Sequence, residues 1–453
     1  LERLGYYLKI NKKIMKNGFC FWSGYMREEE MQRDNSQSQT PDCSFSPFPI
    51  KIFNQIGTIL RNMGIPLGHL TEDVLLERAC SKTGLCDFGG DFSSEPLRLL
   101  LDACEKEAHL NLVGRLAARY NILRLLVNQL HLVEDGKRFP SIAREVIHRP
   151  IFIVGLPRTG STFLHNLLAQ DPNNRTPLTW EVLFPSPPPS YLPAKEDPRI
   201  AKTGKLLQQF DWLAPRFKHI HAMEATLPTE CVAIMSHTFI SHQFHTTWHV
   251  PSYQKWIEDG DARPAYAFHR WFLQHLQWQS PPRQWILKAP PHIFSLDDLL
   301  SVYPDALILH THRDPLKVIG SVASLGTVLR SAFSDHVDPQ AIGIEVMKQW
   351  TKAIQRAMNV RKKKETEQNR FLDVYYQDLV GNPMRTIQRI YSHCHLELTE
   401  QATTRMRGFL RKERSHNHSI HRYSLAPFGL TSEMVSAHFQ MYTKRFHIEP
   451  EPV

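Results

Sequence analysis

Four apolar residues in a row, Ile151-Phe152-Ile153-Val154, three of them β-branched, read as a strand buried on both faces. A turn bounded by Gly155 and Gly160 follows, and then Phe163, Leu164, Leu167 and Leu168 recur at helical spacing. The alternation repeats downstream. Trp285-Ile286-Leu287-Lys288 predicts a second strand, stopped by Ala289-Pro290-Pro291. A helix from Ser295 to Val302 and a Tyr303-Pro304-Asp305 turn lead into a third strand, Ala306–His310. Val318, Ile319, Val322 and Leu325 mark the next helix, and a long one spans about 341–363. Phe371–Tyr376 is the fourth strand, and Asn382-Pro383 opens a helix carrying Ile387, Ile390 and Tyr391. Strands alternating with helices predict an α/β fold around a central parallel sheet.

Upstream the period is helical. Leu97, Leu100, Leu101, Cys104 and Ala108, then Leu112, Leu116, Tyr120, Leu123, Val127 and Leu130, predict an N-terminal helical region over 46–148 before an α/β domain over 149–453. Its Arg115, Arg119 and Arg124 read as surface charges. Residues 1–45 read as a disordered leader, polar between 27 and 45; with no initiator Met, Met15 and Met26 are candidate starts. Residues 200–280 are helical and rich in aromatics and histidines.

Composition changes this picture little. A net charge of +9 suits an anionic ligand, and no nucleic-acid signature accompanies it. Seven scattered cysteines without a CxxC pair read as reduced thiols in a cytoplasmic protein. No apolar run approaches the ~18 residues of a membrane span. The oligomeric state stays open.

Candidate chemistry concentrates at the first turn. Strand, glycine-bounded loop and helix make a cradle of inward N–H groups at a helix N-terminus, which binds phosphate or sulfate. Arg158 lies inside the loop, with Ser161 and Thr162 at the helix start. Gly155 and Gly160 fit the nucleotide P-loop spacing GxxxxGK[ST], but Ser161 stands where a kinase or ATPase has its lysine. Lys288, at the end of the second strand, is placed to reach a ligand, because carboxyl ends of parallel strands form the crevice. Arg313 follows the third strand and Ser321 lies on the next helix, so both can face one anion. Asp314 and Pro315 read as N-cap and N1 of that helix. Glu181, in Thr179-Trp180-Glu181, leaves a carboxylate a short way beyond the cradle. His237, His242, His245 and His249 cluster, but no carboxylate or cysteine completes a metal set, so no metal site is assigned.

Gly155-Leu156-Pro157-Arg158-Thr159-Gly160-Ser161-Thr162 resembles the 5′-phosphosulfate loop of PAPS-dependent sulfotransferases. His312-Arg313-Asp314-Pro315 through Ser321 resembles their 3′-phosphate motif. Tyr376-Gln377-Asp378-Leu379 with Asn382-Pro383 resembles a segment whose Tyr lies near the adenine. The pattern is similar to bacterial-type sulfotransferase family proteins over roughly residues 70–447, and more distantly to tyrosylprotein sulfotransferases. The resemblance implies a P-loop-like three-layer fold and transfer of a sulfuryl group from PAPS, leaving PAP, to a hydroxyl or amine acceptor. It implies cofactor contacts from Pro157, Arg158, Thr159, Gly160, Ser161, Thr162, Arg313, Ser321, Tyr376 and, by loose analogy, Arg422. Arg158 and Lys288 would hold the leaving phosphate, and Glu181 would be the base. Glu224, Glu230 and His245 are runner-up bases. The acceptor would be a small molecule, a glycan or a lipid alcohol. A PAP-binding protein without chemistry and a P-loop kinase are the competing functions.

Overall fold

The computed structural model describes residues 48–63, 68, 70–191, 197–215, 223–415 and 424–451; the leader expected over 1–45 and Arg422 lie outside the described residues. Four helices come first: α1 (Phe48–Asn62), α2 (Glu72–Thr83), α3 (Glu95–Lys106) and α4 (Leu112–Arg138). Leu97, Leu100, Leu101 and Cys104 pack with Ile122, Leu125, Leu126 and Leu130 in a cluster of their own. Asn111 caps α4 by accepting from Gly114 N at 2.8 Å. Gly114 admits no side chain, since a Cβ would fall 2.1 Å from Phe333 O. Helices and sheet share one compact unit, Cys43–Val453.

The chain continues through β1 (Ile151–Gly155), α5 (Ser161–Leu168), β2 (Asn174–Arg175), α6 (Thr179–Leu183), α7 (Pro198–Leu213), α8 (Cys231–Met235), α9 (Gln243–Thr247), α10 (Pro251–Asp259) and α11 (Arg263–Gln277). Then come β3 (Gln284–Lys288), α12 (Leu296–Val302), β4 (Leu307–His312), α13 (Pro315–Phe333), α14 (Pro339–Lys363), β5 (Phe371–Tyr375), α15 (Tyr376–Gly381), α16 (Pro383–Cys394), α17 (Glu400–Ser415) and α18 (Ser432–Arg445). The sheet order is β2-β3-β1-β4-β5, with every neighbouring pair parallel. Alternation along β1 divides the core. Phe152 and Val154 join Leu287, Ile308, Val318, Ile319 and Ile354 on one face. Ile151 and Ile153 join Leu164, Leu167, Ile286, Leu309 and Ile387 on the other. Burying both faces of a parallel sheet in this way gives the three-layer fold.

Three departures from the sequence reading have physical causes. The edge strand β2 carries no apolar signal; Asn174 fixes it by donating from Nδ2 to Leu168 O at 2.8 Å and to Tyr391 Oη at 3.1 Å. Arg124 is not a surface charge: it and Asn128 donate to Leu183 O at 3.1 and 3.0 Å, tying α4 to the C-terminus of α6. And α13, at 19 residues with a mean hydropathy of 1.3, is long and apolar enough to cross a membrane, although 61% of that window is buried inside this fold.

Four buried histidines are packing residues held neutral. Burial pushes His165, His237 and His269 down to about 3 and His242 to about 4. Their folded values lie below the unfolded value of about 6.5, so the unfolded chain binds protons that the folded one does not. Stability is therefore whole above about pH 6.5 and declines as pH falls toward 4, by up to ~1.4 kcal/mol per pH unit for each such group. The melting temperature should drop by several degrees between about pH 7 and about pH 5. A flat scanning-fluorimetry profile across that interval would contradict this account.

Candidate active site

The site begins with backbone that most residues avoid. Gly155 closes β1 at φ +136°, where a Cβ would fall 2.4 Å from Thr311 O on β4. Arg158 sits at φ +62°, a left-handed conformation costing a non-glycine residue about 1 kcal/mol or more. Thr159 holds the turn: its Oγ1 donates to Leu156 O at 2.7 Å and lies 2.6 Å from Thr311 Oγ1. Gly160, at φ +81°, starts α5 without a side-chain cap. That leaves the helix N-terminus to the loop, with Ser161 buried and Thr162 half-buried at its mouth.

Side chains from three neighbouring strand ends converge here. Arg158 Nε donates to Ser321 Oγ at 3.1 Å. Arg313, just beyond β4, donates from Nη1 to Arg158 O at 3.0 Å and stacks its guanidinium 3.8 Å from the centre of the Tyr376 ring. Lys288, the last residue of β3, is only 2% exposed, and its Nζ donates to Thr162 Oγ1 at 3.1 Å. The second contact of that ammonium is Glu230 Oε1 at 2.5 Å. Asp314 caps α13 by accepting from Leu316 N at 2.9 Å.

Two placements differ from sequence expectation. Glu181 is 2% exposed and spends both oxygens locally: Oε1 accepts from Arg175 Nη2 at 2.7 Å and Oε2 from Leu178 N at 2.9 Å, as a helix cap does. The carboxylate in contact with Lys288 is Glu230. The other is Glu451, which no local pattern marks because it lies 138 residues from its partner. Its carboxylate pairs with Arg313, accepting from Nε at 2.8 Å and from Nη2 at 2.9 Å, while its own N–H donates to Asp314 Oδ2 at 3.0 Å. Glu224 is exposed, and His245 is buried between Glu345 and Arg330.

Behind Arg313 lies a buried polar network. His312 Nε2 donates to Asp373 Oδ1 at 2.8 Å, and its Nδ1 accepts from Tyr442 Oη at 3.1 Å. Burial raises the Asp373 carboxyl, but the His312 and Arg361 hydrogen bonds outweigh that and hold it well below the usual carboxylate range. His310, His312 and Asp373 put ligand-type atoms within 4.8 Å of one another, yet Arg361 donates both to Asp373 and to His310 Nδ1, at 3.1 and 3.2 Å. A guanidinium thus fills the place a metal ion would take.

The donor set is cationic and multidentate: two guanidiniums, an ammonium, hydroxyls and a helix N-terminus, which suits a ligand with two separated anionic groups. The Glu451 carboxylate occupies the Nε and Nη2 edge of Arg313, so an anion arriving at that edge would compete with it. Titration calorimetry with PAP should show Arg313→Ala weakening binding by about 10- to 100-fold, the loss of a charge-assisted pair. Glu451→Ala should tighten it by about two- to fivefold, since a partly exposed ion pair is worth under ~1 kcal/mol. Unchanged affinity in both variants would remove Arg313 from the binding site.

Comparison with known proteins gives the family. The family model for the sulfotransferase family matches residues 150–400. The crystal structure of sulfotransferase STF1 from Mycobacterium tuberculosis H37Rv is 34% identical, with a TM-score of 0.73 over 82% of this chain and 98% of that one. Sulfotransferase STF9 from Mycobacterium avium is 28% identical, with a TM-score of 0.75 over 84% and 98%. The omega-hydroxy-beta-dihydromenaquinone-9 sulfotransferase Stf3 of Mycobacterium bovis is 25% identical over 280 residues, which span 58% of this chain and 66%, just under two thirds, of that protein. With the loop, the strand-end cations and the three-layer sheet in place, the chain belongs to the sulfotransferase family, whose enzymes take their sulfuryl group from PAPS.

Proposed function

We propose that this protein transfers a sulfuryl group from PAPS to the hydroxyl of a small, largely apolar alcohol. The observation that carries the reading is the meeting of Arg158, Ser321, Arg313, Lys288 and Thr162, from separate stretches of sequence, around one helix N-terminus. When bound, PAPS supplies a sulfuryl group joined to its 5′-phosphate through an oxygen that becomes anionic on departure. Arg158, Lys288, Thr162 and the loop N–H groups up to Thr162 would hold that phosphate. Arg313 and Ser321 would hold the 3′-phosphate, with the Tyr376 ring beside them. Fixed donors aimed at developing charge in a water-poor site are normally the largest contribution to rate. Lys288 fits that role because burial in β3 fixes its reach.

An apolar acceptor is supported by one relative. The Stf3 relative is named for a hydroxylated menaquinone, a lipid-like alcohol. Free Cys80, Cys86, Cys104, Cys231 and Cys394 support a reducing, cytoplasmic setting.

The test is PAP release from PAPS in the presence of long-chain and isoprenoid primary alcohols, with sulfated product followed by mass spectrometry. Lys288→Ala should lower kcat by about 100-fold or more while changing PAP affinity by less than about tenfold. Tight PAP binding without turnover of any alcohol would favour a binding protein, and magnesium-dependent ATP turnover would favour a kinase.

A further inference from the structure

We propose that Glu230, and not Glu181, is the carboxylate that takes the proton from the acceptor hydroxyl, and that Lys288 holds it at the sulfuryl-transfer site. This assignment rests on the sulfuryl-transfer reading above. A base must reach the hydroxyl it deprotonates. Glu181 is poorly placed for this: its side chain is 3% exposed, and its two oxygens accept from Arg175 and Leu178 N. Arg175 is itself stacked 5.4 Å from the Trp285 ring, so this carboxylate belongs to the corner between β2 and α6.

Glu230 meets the requirement. Its side chain is 26% exposed, and it touches the ammonium that also donates to Thr162 at the start of α5. One lysine therefore links the anion cradle to this carboxylate. The backbone that delivers Glu230 is rigid. Thr179 N donates to Leu227 O at 3.0 Å, Trp180 N to Ala225 O at 2.9 Å, and Thr229 N to Pro177 O at 2.9 Å. These clamp 225–229 along 177–180, and Glu230 emerges at the end of the clamp as the N-cap residue of α8. The neighbouring Cys231 is no competitor: it is buried, and burial pushes its thiol up to about 12.

The step balances as follows. The acceptor O–H bond breaks and its proton passes to a Glu230 carboxylate oxygen. The acceptor oxygen bonds to sulfur as the bond from sulfur to the bridging oxygen breaks. That electron pair leaves on the 5′-phosphate of PAP, against Lys288 and Arg158. Glu230 gives its proton to water once product departs, which resets the site.

The experiment compares wild type, Glu230→Gln, Glu230→Asp and Glu181→Gln by steady-state kinetics across pH, PAP calorimetry and melting temperature. Glu230→Gln should bind PAP within about threefold of wild type and melt normally, yet lose kcat by about 100- to 10,000-fold and lose the acid limb of its pH–rate profile. Glu230→Asp should recover part of the rate. Glu181→Gln should melt lower with kcat within about tenfold of wild type. An active wild type with an equally active Glu230→Gln overturns this assignment and leaves sulfuryl transfer standing. So does loss of turnover in Glu181→Gln at an unchanged melting temperature. A wild type that turns over no alcohol overturns the function and the assignment together.

Discussion

The site rests on three cations held at adjacent strand ends. Arg158 follows β1, Lys288 ends β3 and Arg313 follows β4, and β1 lies between the other two strands. Like charges brought this close are costly unless each is offset. Among the described residues, Glu230 sits on Lys288 and Glu451 on Arg313. Both partners come from outside the sheet, so either pair can open without disturbing a strand. A positive centre with removable counter-charges is well suited to exchanging one anionic nucleotide for another.

Keeping those cations in place takes most of the fold. Arg158 depends on a left-handed turn that Thr159 locks to Leu156 and Thr311. Arg313 depends on His312, which precedes it and is fixed by Asp373 and Tyr442. Lys288 depends on β3 being buried to its end. The helical region contributes too: Arg124 and Asn128 on α4 hold the C-terminus of α6, and α6 sits beside the segment that carries Glu230. The N-terminal helical region is therefore a brace for the site.

Strands β1, β3, β4 and β5 were legible because each is a dense apolar run between turn signals, and the fold class followed from their alternation with helices. The edge strand β2 was not, since side-chain hydrogen bonds to Leu168 and Tyr391 place it rather than hydrophobicity. The loop residues were legible through a local constraint, two glycines at fixed spacing around an arginine. Residues joined only by tertiary packing were not. Nothing near Glu451 announces Arg313, and nothing in the spacing of the histidines of 237–249 announces their partners Asn128, Gln254, Glu345 and Arg330.

At Glu181, spacing along the chain and local hydrogen bonding point different ways. A carboxylate soon after an anion loop is a natural candidate base, because the chain has had little length in which to move away. Distance along the chain does not decide where lone pairs point, however. Here the third residue of a short helix turns its carboxylate back to the helix start, where Leu178 N–H and Arg175 need an acceptor. The carboxylate beside the reactive ammonium arrives about fifty residues later, on a segment pinned to that same helix by backbone bonds. Of the two glutamates at this corner, one closes it and the other sits against Lys288.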